Sequence, residues 1–200
     1  KVQPLDKNSL LEALKLGLPI GGTVFAEVAI FSGVGLVMAK YPSLVIASHQ
    51  AAMNFSNLMY AFPLSISSAM AIIISYEFGA RRMDAVKSYS KLGRLTALGF
   101  SIFTLIFLYF LRYDLAELYG HEPDFLRMTA IFMTYSLFFQ VAAVFAAPLQ
   151  GILRGYKDTK VPFYLGVLAY WGITFPVGFL LEKVTGLGPY SYWIGLIASL

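Results

Sequence analysis

Long stretches of this chain are apolar and nearly free of charge, and short charged clusters separate them. Hydrophobic residues make up 58% of the 200 positions and charged residues 13%, a composition unlike that of a soluble domain. A helix needs about 20 mostly apolar residues to cross a hydrocarbon core of about 30 Å. The pattern therefore predicts an all-α bundle of six membrane spans, at approximately residues 10–38, 41–76, 92–111, 125–153, 161–181 and 187–200.

The charged clusters, which run from Arg81 to Arg94, Arg112 to Arg127 and Arg154 to Lys160, are predicted to be loops. Placing the start, the second loop and the fourth loop on one side gathers eleven basic residues there: Lys1, Lys7, Lys15, Arg81, Arg82, Lys87, Lys91, Arg94, Arg154, Lys157 and Lys160. Four remain for the other side: Lys40, Arg112, Arg127 and Lys183. Because basic loops stay in the cytoplasm, both ends of the segment are predicted to be cytoplasmic.

The sequence also predicts where the first helix begins and that this chain is part of a longer polypeptide. Ser9 is the predicted N-cap of the first helix, since a serine before an apolar periodic run is a start signal. The chain begins at Lys1 rather than at methionine and stops at Leu200 within an apolar run. We therefore expect residues 1–200 to be one domain from a longer polypeptide.

The remaining composition excludes several classes of function. The net charge of +4 does not indicate nucleic-acid binding, because the basic residues lie between apolar runs rather than on one face of a soluble fold. The chain has no cysteine, so it has neither disulfides nor thiolate metal sites. It also lacks a paired histidine and carboxylate motif and a glycine-rich phosphate loop. The sequence predicts no enzyme and no cofactor, and membrane lipid is the expected surrounding.

Glu27 is the first candidate for chemistry, because it lies in the middle of the first span between Lys15 and Lys40. A carboxylate at that depth costs several kcal/mol unless it is paired, hydrated or protonated, and it commonly marks an ion or proton path. It is therefore the predicted coupling residue and a possible Na⁺ ligand. The alternative is a protonated glutamic acid that hydrogen-bonds to a neighbouring helix as a packing element.

Polar and small residues form stripes at helical spacing on two spans. The stripe on the second span consists of Gln50, Asn54, Asn57, Ala61, Ser65 and Ser68. The stripe on the fourth span consists of Ser136, Gln140, Ala143, Ala147 and Gln150. Such stripes either line a cavity or allow close packing with hydrogen bonds between helices. We take Gln50, Asn54, Asn57, Gln140 and Ala143 as candidate cavity-lining residues.

Three prolines and two further side chains add to this picture. Pro19, Pro63 and Pro148 interrupt the helical hydrogen-bond ladder, and such breaks either surround ion or substrate sites or are static kinks. Tyr60 follows Asn57 by three residues, where its hydroxyl is placed to donate to a carboxylate or to coordinate a cation. His49 is predicted to lie near the outer mouth of the second span.

Several different short motifs follow one another along the chain in a specific order. They are Leu16-Gly17-Leu18-Pro19-Ile20 followed by Glu27, Ala47-Ser48-His49-Gln50, Asn54-Phe55, Pro63-Leu64-Ser65, Glu77-Phe78-Gly79-Ala80, Gln150 through Thr159, and Trp193-Ile194-Gly195. With these motifs the chain resembles the C-terminal half of a multidrug and toxic compound extrusion (MATE) transporter of the NorM-like bacterial branch. The resemblance covers essentially the whole chain.

The resemblance implies two six-helix lobes, of which this chain is the second and the missing N-terminal lobe the partner. It implies export of cationic, amphipathic drugs across the bacterial inner membrane in exchange for Na⁺ or H⁺. On this reading Glu27 matches the acidic residue of the family's seventh helix and Tyr60 a cation-site tyrosine of the eighth.

One position departs from the family pattern. Relatives usually carry aspartate in the context Gln-x-Ala-Asp, whereas this chain reads Gln140-Val141-Ala142-Ala143. Either the chain couples ions through Glu27 alone or position 143 was altered deliberately. Two other functions stay open: a lipid-linked oligosaccharide flippase, which normally lines its cleft with basic residues, and an ion channel or structural membrane subunit.

Overall fold

All regular structure in the described part of the chain, residues 6–200, is helical. The computed structural model contains α1 (Lys7–Met38), α2 (Ser43–Gly79), α3 (Met83–Glu117), α4 (Pro123–Gly155), α5 (Lys160–Thr185) and α6 (Tyr190–Ala198). The first five are long and apolar enough to cross a membrane. The prediction of an all-α six-helix bundle is confirmed. Lys1, which the charge count includes, lies outside the described residues.

The helices extend further than the apolar runs do, so the prediction that the charged clusters are loops is wrong for most of 81–94 and 112–127, while 154–160 does contain the turn between α4 and α5. α3 begins at Met83 and contains most of the segment from Arg81 to Arg94 that was predicted to be a loop. Its 35 residues span about 52 Å at about 1.5 Å each, more than the hydrocarbon core requires. Charge therefore marks where α3 leaves the core, and the helix itself continues beyond it.

The ends of the helices follow ordinary capping chemistry. Asp6 caps α1 by accepting hydrogen bonds from the amides of Asn8, at 3.2 Å, and Ser9, at 3.3 Å. The predicted cap, Ser9, instead lies in the first turn and donates its hydroxyl to Asp6 at 2.7 Å. That hydroxyl, followed by the two amides, lowers the pKa of Asp6 below its ordinary value. An aspartate reaches the amides two and three residues ahead.

The three prolines predicted to interrupt helices lie within continuous helices, Pro19 in α1, Pro63 in α2 and Pro148 in α4. The Thr23 hydroxyl donates to the carbonyl oxygen of Pro19 at 2.9 Å. The prolines therefore interrupt the hydrogen-bond ladder without breaking any of the three helices.

α2 and α4 form the closest pair of helices in the bundle. A Cβ atom added to Gly151 would lie 2.2 Å from the carbonyl oxygen of Ser67, and one added to Gly155 would lie 2.6 Å from the side chain of Ile74. Gln140 Nε2 donates to the carbonyl oxygen of Ser56 at 3.2 Å across the same interface. Small residues on α4 thus bring the two backbones into contact, as in membrane helices generally.

α1 packs mainly along α5 and touches α2 little. Gly22 receives the ring of Phe163, and Gly33 receives the ring of Phe175, so the two helices run in the same direction. The weak contact between α1 and α2 leaves a groove between them.

The last helix, α6, is short and deeply packed. Tyr192, Trp193 and Leu196 are fully buried, and a Cβ on Gly195 would lie 2.4 Å from the carbonyl oxygen of Thr174 in α5. Nine residues span only about 14 Å, less than the bilayer core. A sixth complete span therefore stays a prediction.

Four polar side chains join the α1–α2 turn to α5 and α6. Glu182 accepts hydrogen bonds from Lys40 Nζ at 2.6 Å, from the Tyr192 hydroxyl at 2.5 Å and from the Tyr41 hydroxyl. Burial alone would lower the pKa of Lys40, but the hydrogen bonds to Glu182 and Tyr192 raise it overall. The cluster ties together helix ends that are 142 residues apart in sequence, which no local pattern indicates.

Candidate functional site

The structure brings together Glu27 and Tyr60, the two residues predicted to handle the coupling ion. Both are half-buried, Glu27 on α1 and Tyr60 on α2. The carboxyl group of Glu27 interacts with the Tyr60 hydroxyl. It also interacts, more weakly and at longer range, with the positive charge of Arg154. A single acid at membrane depth thus has one neutral hydroxyl partner and a distant cation.

Tyr170 is a third member of this site that sequence reasoning missed. Its side chain is 3% exposed and experiences the charge of Glu27. The packing of Gly22 on Phe163 and of Gly33 on Phe175 places Glu27 at the level of Tyr170 along α5. Tyr170 lies among apolar residues of α5, so only the α1–α5 contact identifies it.

Gln150 approaches the hydroxyl of Tyr170, and both residues line a small cavity of about 260 Å³ between α4 and α5. Gln150 belongs to the polar stripe that the sequence placed on the fourth span. The site therefore contains a carboxyl group, two phenol hydroxyls and an amide, contributed by four helices.

The polar stripe of α2 borders a larger cavity. A space of about 650 Å³ between α1 and α2 is lined by Gln50, Asn57, Phe31 and Met53, among others. Asn54 is exposed beside it and accepts a hydrogen bond from Gln50 Nε2 at 3.5 Å. Gln50 and Asn57 thus border a cavity, and a cavity-lining role for the whole stripe stays a prediction.

Gln140 and Ala143 are both buried on the face of α4 that packs against α2. Gln140 is 3% exposed and Ala143 1% exposed, and the amide of Gln140 is engaged by the backbone of α2. The small residues of this face let α4 approach α2 closely. The two residues therefore lie in the α2–α4 interface, and their role as cavity-lining residues stays a prediction.

The register of α2 and α4 places Ala143 close to Tyr60, a residue of the candidate ion site. The contacts of Gln140 with Ser56 and of Gly151 with Ser67 share the same offset along the two helices. By that offset Ala143 lies beside the turn of α2 that contains Tyr60. Phe139, one turn earlier on α4, packs its ring 6.3 Å from that of Tyr60.

Within residues 6–200, no three histidine, aspartate or glutamate side chains gather as a metal site would require. The groups that converge on Glu27 offer oxygen atoms from one carboxyl group and neighbouring hydroxyls. Hard cations prefer such oxygen ligands, and the same carboxyl group can carry a proton. The arrangement is chemically compatible with either ion.

Comparison with known proteins identifies relatives of this chain. The MatE family profile matches residues 19–180. The "Probable multidrug resistance protein NorM" of Streptococcus pneumoniae strain R6 is 66% identical over 196 residues, which cover 98% of this chain and 43% of that protein. Its namesake from Bacillus subtilis strain 168 is 48% identical over 187 residues, covering 94% of this chain and 41% of the relative. The chain thus spans less than half the length of these relatives.

A solved structure shows the same fold. The eukaryotic MATE transporter AtDTX14 superposes with a TM-score of 0.87 at 18% identity, over 98% of this chain and 45% of that one. At this identity the likeness concerns the fold alone.

Proposed function

We propose that this chain, which belongs to the MatE family, forms one six-helix lobe of an ion-coupled exporter of cationic, amphipathic compounds. The observation that carries the proposal is the pairing of Glu27 with Tyr60 at membrane depth. A second lobe, supplied by the rest of a longer protein, completes the transport cleft. Because basic loops stay inside, export runs from the cytoplasm across the bacterial inner membrane.

Glu27 couples the ion to the conformational change. Without a cation or a proton, its carboxylate is costly to enclose among apolar helices, so the ion-free lobe favours the conformation that hydrates this residue. Na⁺ or H⁺ neutralises the charge and lowers the cost of enclosing it. The ion therefore binds the two conformations with different affinity, which is the condition for shifting their populations.

The cavity between α1 and α2 supplies the substrate surface of the lobe. Its walls combine the aromatic ring of Phe31 with the amides of Gln50 and Asn57, and none of its lining residues is charged. Such a surface accepts an aromatic body and leaves a substrate cation free to face the cleft. A flippase for anionic lipid-linked sugars would need basic residues there.

The substitution Glu27→Gln tests the proposal in the full-length protein. Glutamine keeps the volume and some hydrogen bonding but neither binds a proton nor neutralises a cation. We expect export driven by a Na⁺ or H⁺ gradient to fall about tenfold or more, the range of a lost coupling free energy. Efflux of a fluorescent cationic dye from vesicles, with each gradient imposed separately, measures this and shows which ion is used.

Glu12→Gln is the matched control, since it makes the same change on the same helix. Glu12 is exposed and forms only a surface ion pair with Lys157, which contributes little to stability. Its variant should export at the unmodified rate. Full export by Glu27→Gln at equal expression would reduce Glu27 to a packing residue and remove the basis of the proposal.

A further inference from the structure

His49 is a buried histidine whose ring is held by two aromatic neighbours. The side chain is 2% exposed and also lines the cavity between α1 and α2. Trp193 Nε1 of α6 donates to His49 Nδ1 at 3.1 Å. The rings of Trp193 and Phe132 both meet the imidazole edge-on, each at 5.8 Å between centroids. The imidazole is therefore fixed in position and orientation.

The hydrogen bond from Trp193 determines which nitrogen of His49 carries the proton. An indole N–H only donates, so Nδ1 must be the unprotonated acceptor. In a neutral imidazole the proton then lies on Nε2, because the partner of one ring nitrogen sets the state of the other. His49 thus presents an N–H donor at the Nε2 edge of its ring.

Nε2–H is the one donor of the neutral imidazole, and no group within residues 6–200 accepts a hydrogen bond from it. Four buried hydroxyl groups also lack a partner and are fully enclosed by protein, whereas Nε2 is not fully enclosed; the four are Ser48 Oγ, Thr129 Oγ1, Thr174 Oγ1 and Ser191 Oγ. The cavity between α1 and α2 is the open space that His49 borders. Nε2–H is therefore available to a molecule in that cavity.

We propose that His49 Nε2–H is a substrate-binding donor, selective for aromatic compounds that carry a carbonyl or carboxylate oxygen, and that Trp193 fixes its tautomer. Phe31 and Met53, on the same cavity wall, hold the aromatic body while His49 binds the oxygen. Discrimination arises because a buried donor left without an acceptor is costly. This inference rests on the proposed function and names part of its substrate class.

Binding by the purified full-length protein tests the donor, with two probes that differ in hydrogen-bonding capacity. Ciprofloxacin is aromatic and carries ketone and carboxylate oxygens, whereas tetraphenylphosphonium is an aromatic cation without an acceptor. His49→Phe keeps a ring against Phe132 and removes both nitrogens. We expect it to weaken ciprofloxacin binding about tenfold, the loss of one buried hydrogen bond, and not to weaken tetraphenylphosphonium binding, because that cation gives the donor no acceptor to lose.

His121→Phe is the matched control, because His121 is exposed in the turn before α4, and this variant should bind both probes normally. An equal loss of both probes in His49→Phe would show a packing role and overturn the inference. Unchanged binding of ciprofloxacin would overturn it as well. Since no gradient is imposed, these results are independent of coupling. A protein that binds both probes as expected but fails to transport would contradict the proposed function alone.

The tautomer has its own test that needs no ligand. Nitrogen-15 resonances of the imidazole distinguish a protonated Nε2 from a protonated Nδ1, and the His49→Phe variant assigns the signals. The unmodified protein should show protonated Nε2. Trp193→Phe should introduce the other tautomer and weaken ciprofloxacin binding less than His49→Phe does. A protonated Nδ1 in the unmodified protein would contradict the assigned role of Trp193.

Discussion

At the residue scale, Glu27 differs from Tyr170 and His49 in how poorly its side chain suits an apolar span. Glu27 is a single acid in a long apolar run, and the cost of its burial makes it visible in the sequence. Tyr170 and His49 fit their apolar spans without conflict, and their roles arise from contacts with distant helices. The partner of His49 is 144 residues away in sequence. Such pairings depend on tertiary register, which no single-span pattern encodes.

The substitution Ala143→Asp probes whether α4 contributes to the ion site. Ala143 is buried beside the turn that holds Tyr60, so a carboxylate there would be enclosed and unpaired without a cation, at a cost of several kcal/mol. We expect Ala143→Asp to lower the unfolding temperature at neutral pH in the absence of Na⁺. Added Na⁺, or a lower pH that protonates the new acid, should recover much of the loss.

Ala143→Asn separates the effect of charge from the effect of size, because asparagine has nearly the same shape as aspartate but carries no charge. Its unfolding temperature should fall through overpacking alone and should not respond to Na⁺ or pH beyond the response of the unmodified protein. Identical Na⁺ and pH responses in the two variants would mean that position 143 does not share an ion with Glu27.

At the element scale, hydropathy predicted that helices exist but not where they end. The apolar window shows the part of a helix inside hydrocarbon, whereas backbone hydrogen bonding continues wherever the next turn is stable. α3 accordingly begins nine residues before the apolar run from 92 to 111 that predicted it. α6 begins three residues after the predicted start of the apolar run 187–200, and its buried side chains pack inside the bundle.

The contact between α2 and α4 makes a sharp prediction for glycine. Gly151→Ala would place a methyl group 2.2 Å from the backbone oxygen of Ser67, and a backbone moves less easily than a side chain. We expect a loss of about 1–3 kcal/mol in the free energy of unfolding, typical of overpacking. Thermal unfolding in detergent measures the loss.

Gly99→Ala is the counterpart on an open helix face, since a Cβ at Gly99 meets nothing within 4 Å. In a helix interior this change should stabilise the protein by about 0.5–1 kcal/mol. If the two variants unfolded at the same temperature, α2 and α4 would not pack as closely as described.

At the scale of the whole molecule, some neighbouring helices of the bundle pack closely, whereas α1 and α2 are separated by a groove. The backbones of α2 and α4 are in contact, and α1 packs mainly against α5. The groove between α1 and α2 forms the cavity described above. The cluster around Glu182 holds the α1–α2 turn against α5 and α6 at one end. In the proposed exporter, this arrangement would let the lobe move as a unit with the cavity between α1 and α2 turned toward the second lobe.

The orientation of the lobe decides the direction of transport, and cysteine accessibility tests it cleanly because this chain has no cysteine of its own. Lys87→Cys and Lys160→Cys replace exposed residues of the basic segments 81–94 and 154–160, and His121→Cys replaces an exposed residue in the turn before α4, which is predicted to lie on the other side. Since basic segments remain in the cytoplasm, a membrane-impermeant maleimide added to intact cells should label only His121→Cys. Permeabilised cells, the control, should label all three. Labelling of Lys87→Cys and Lys160→Cys in intact cells, with His121→Cys protected, would invert the lobe and turn the proposed exporter into an importer.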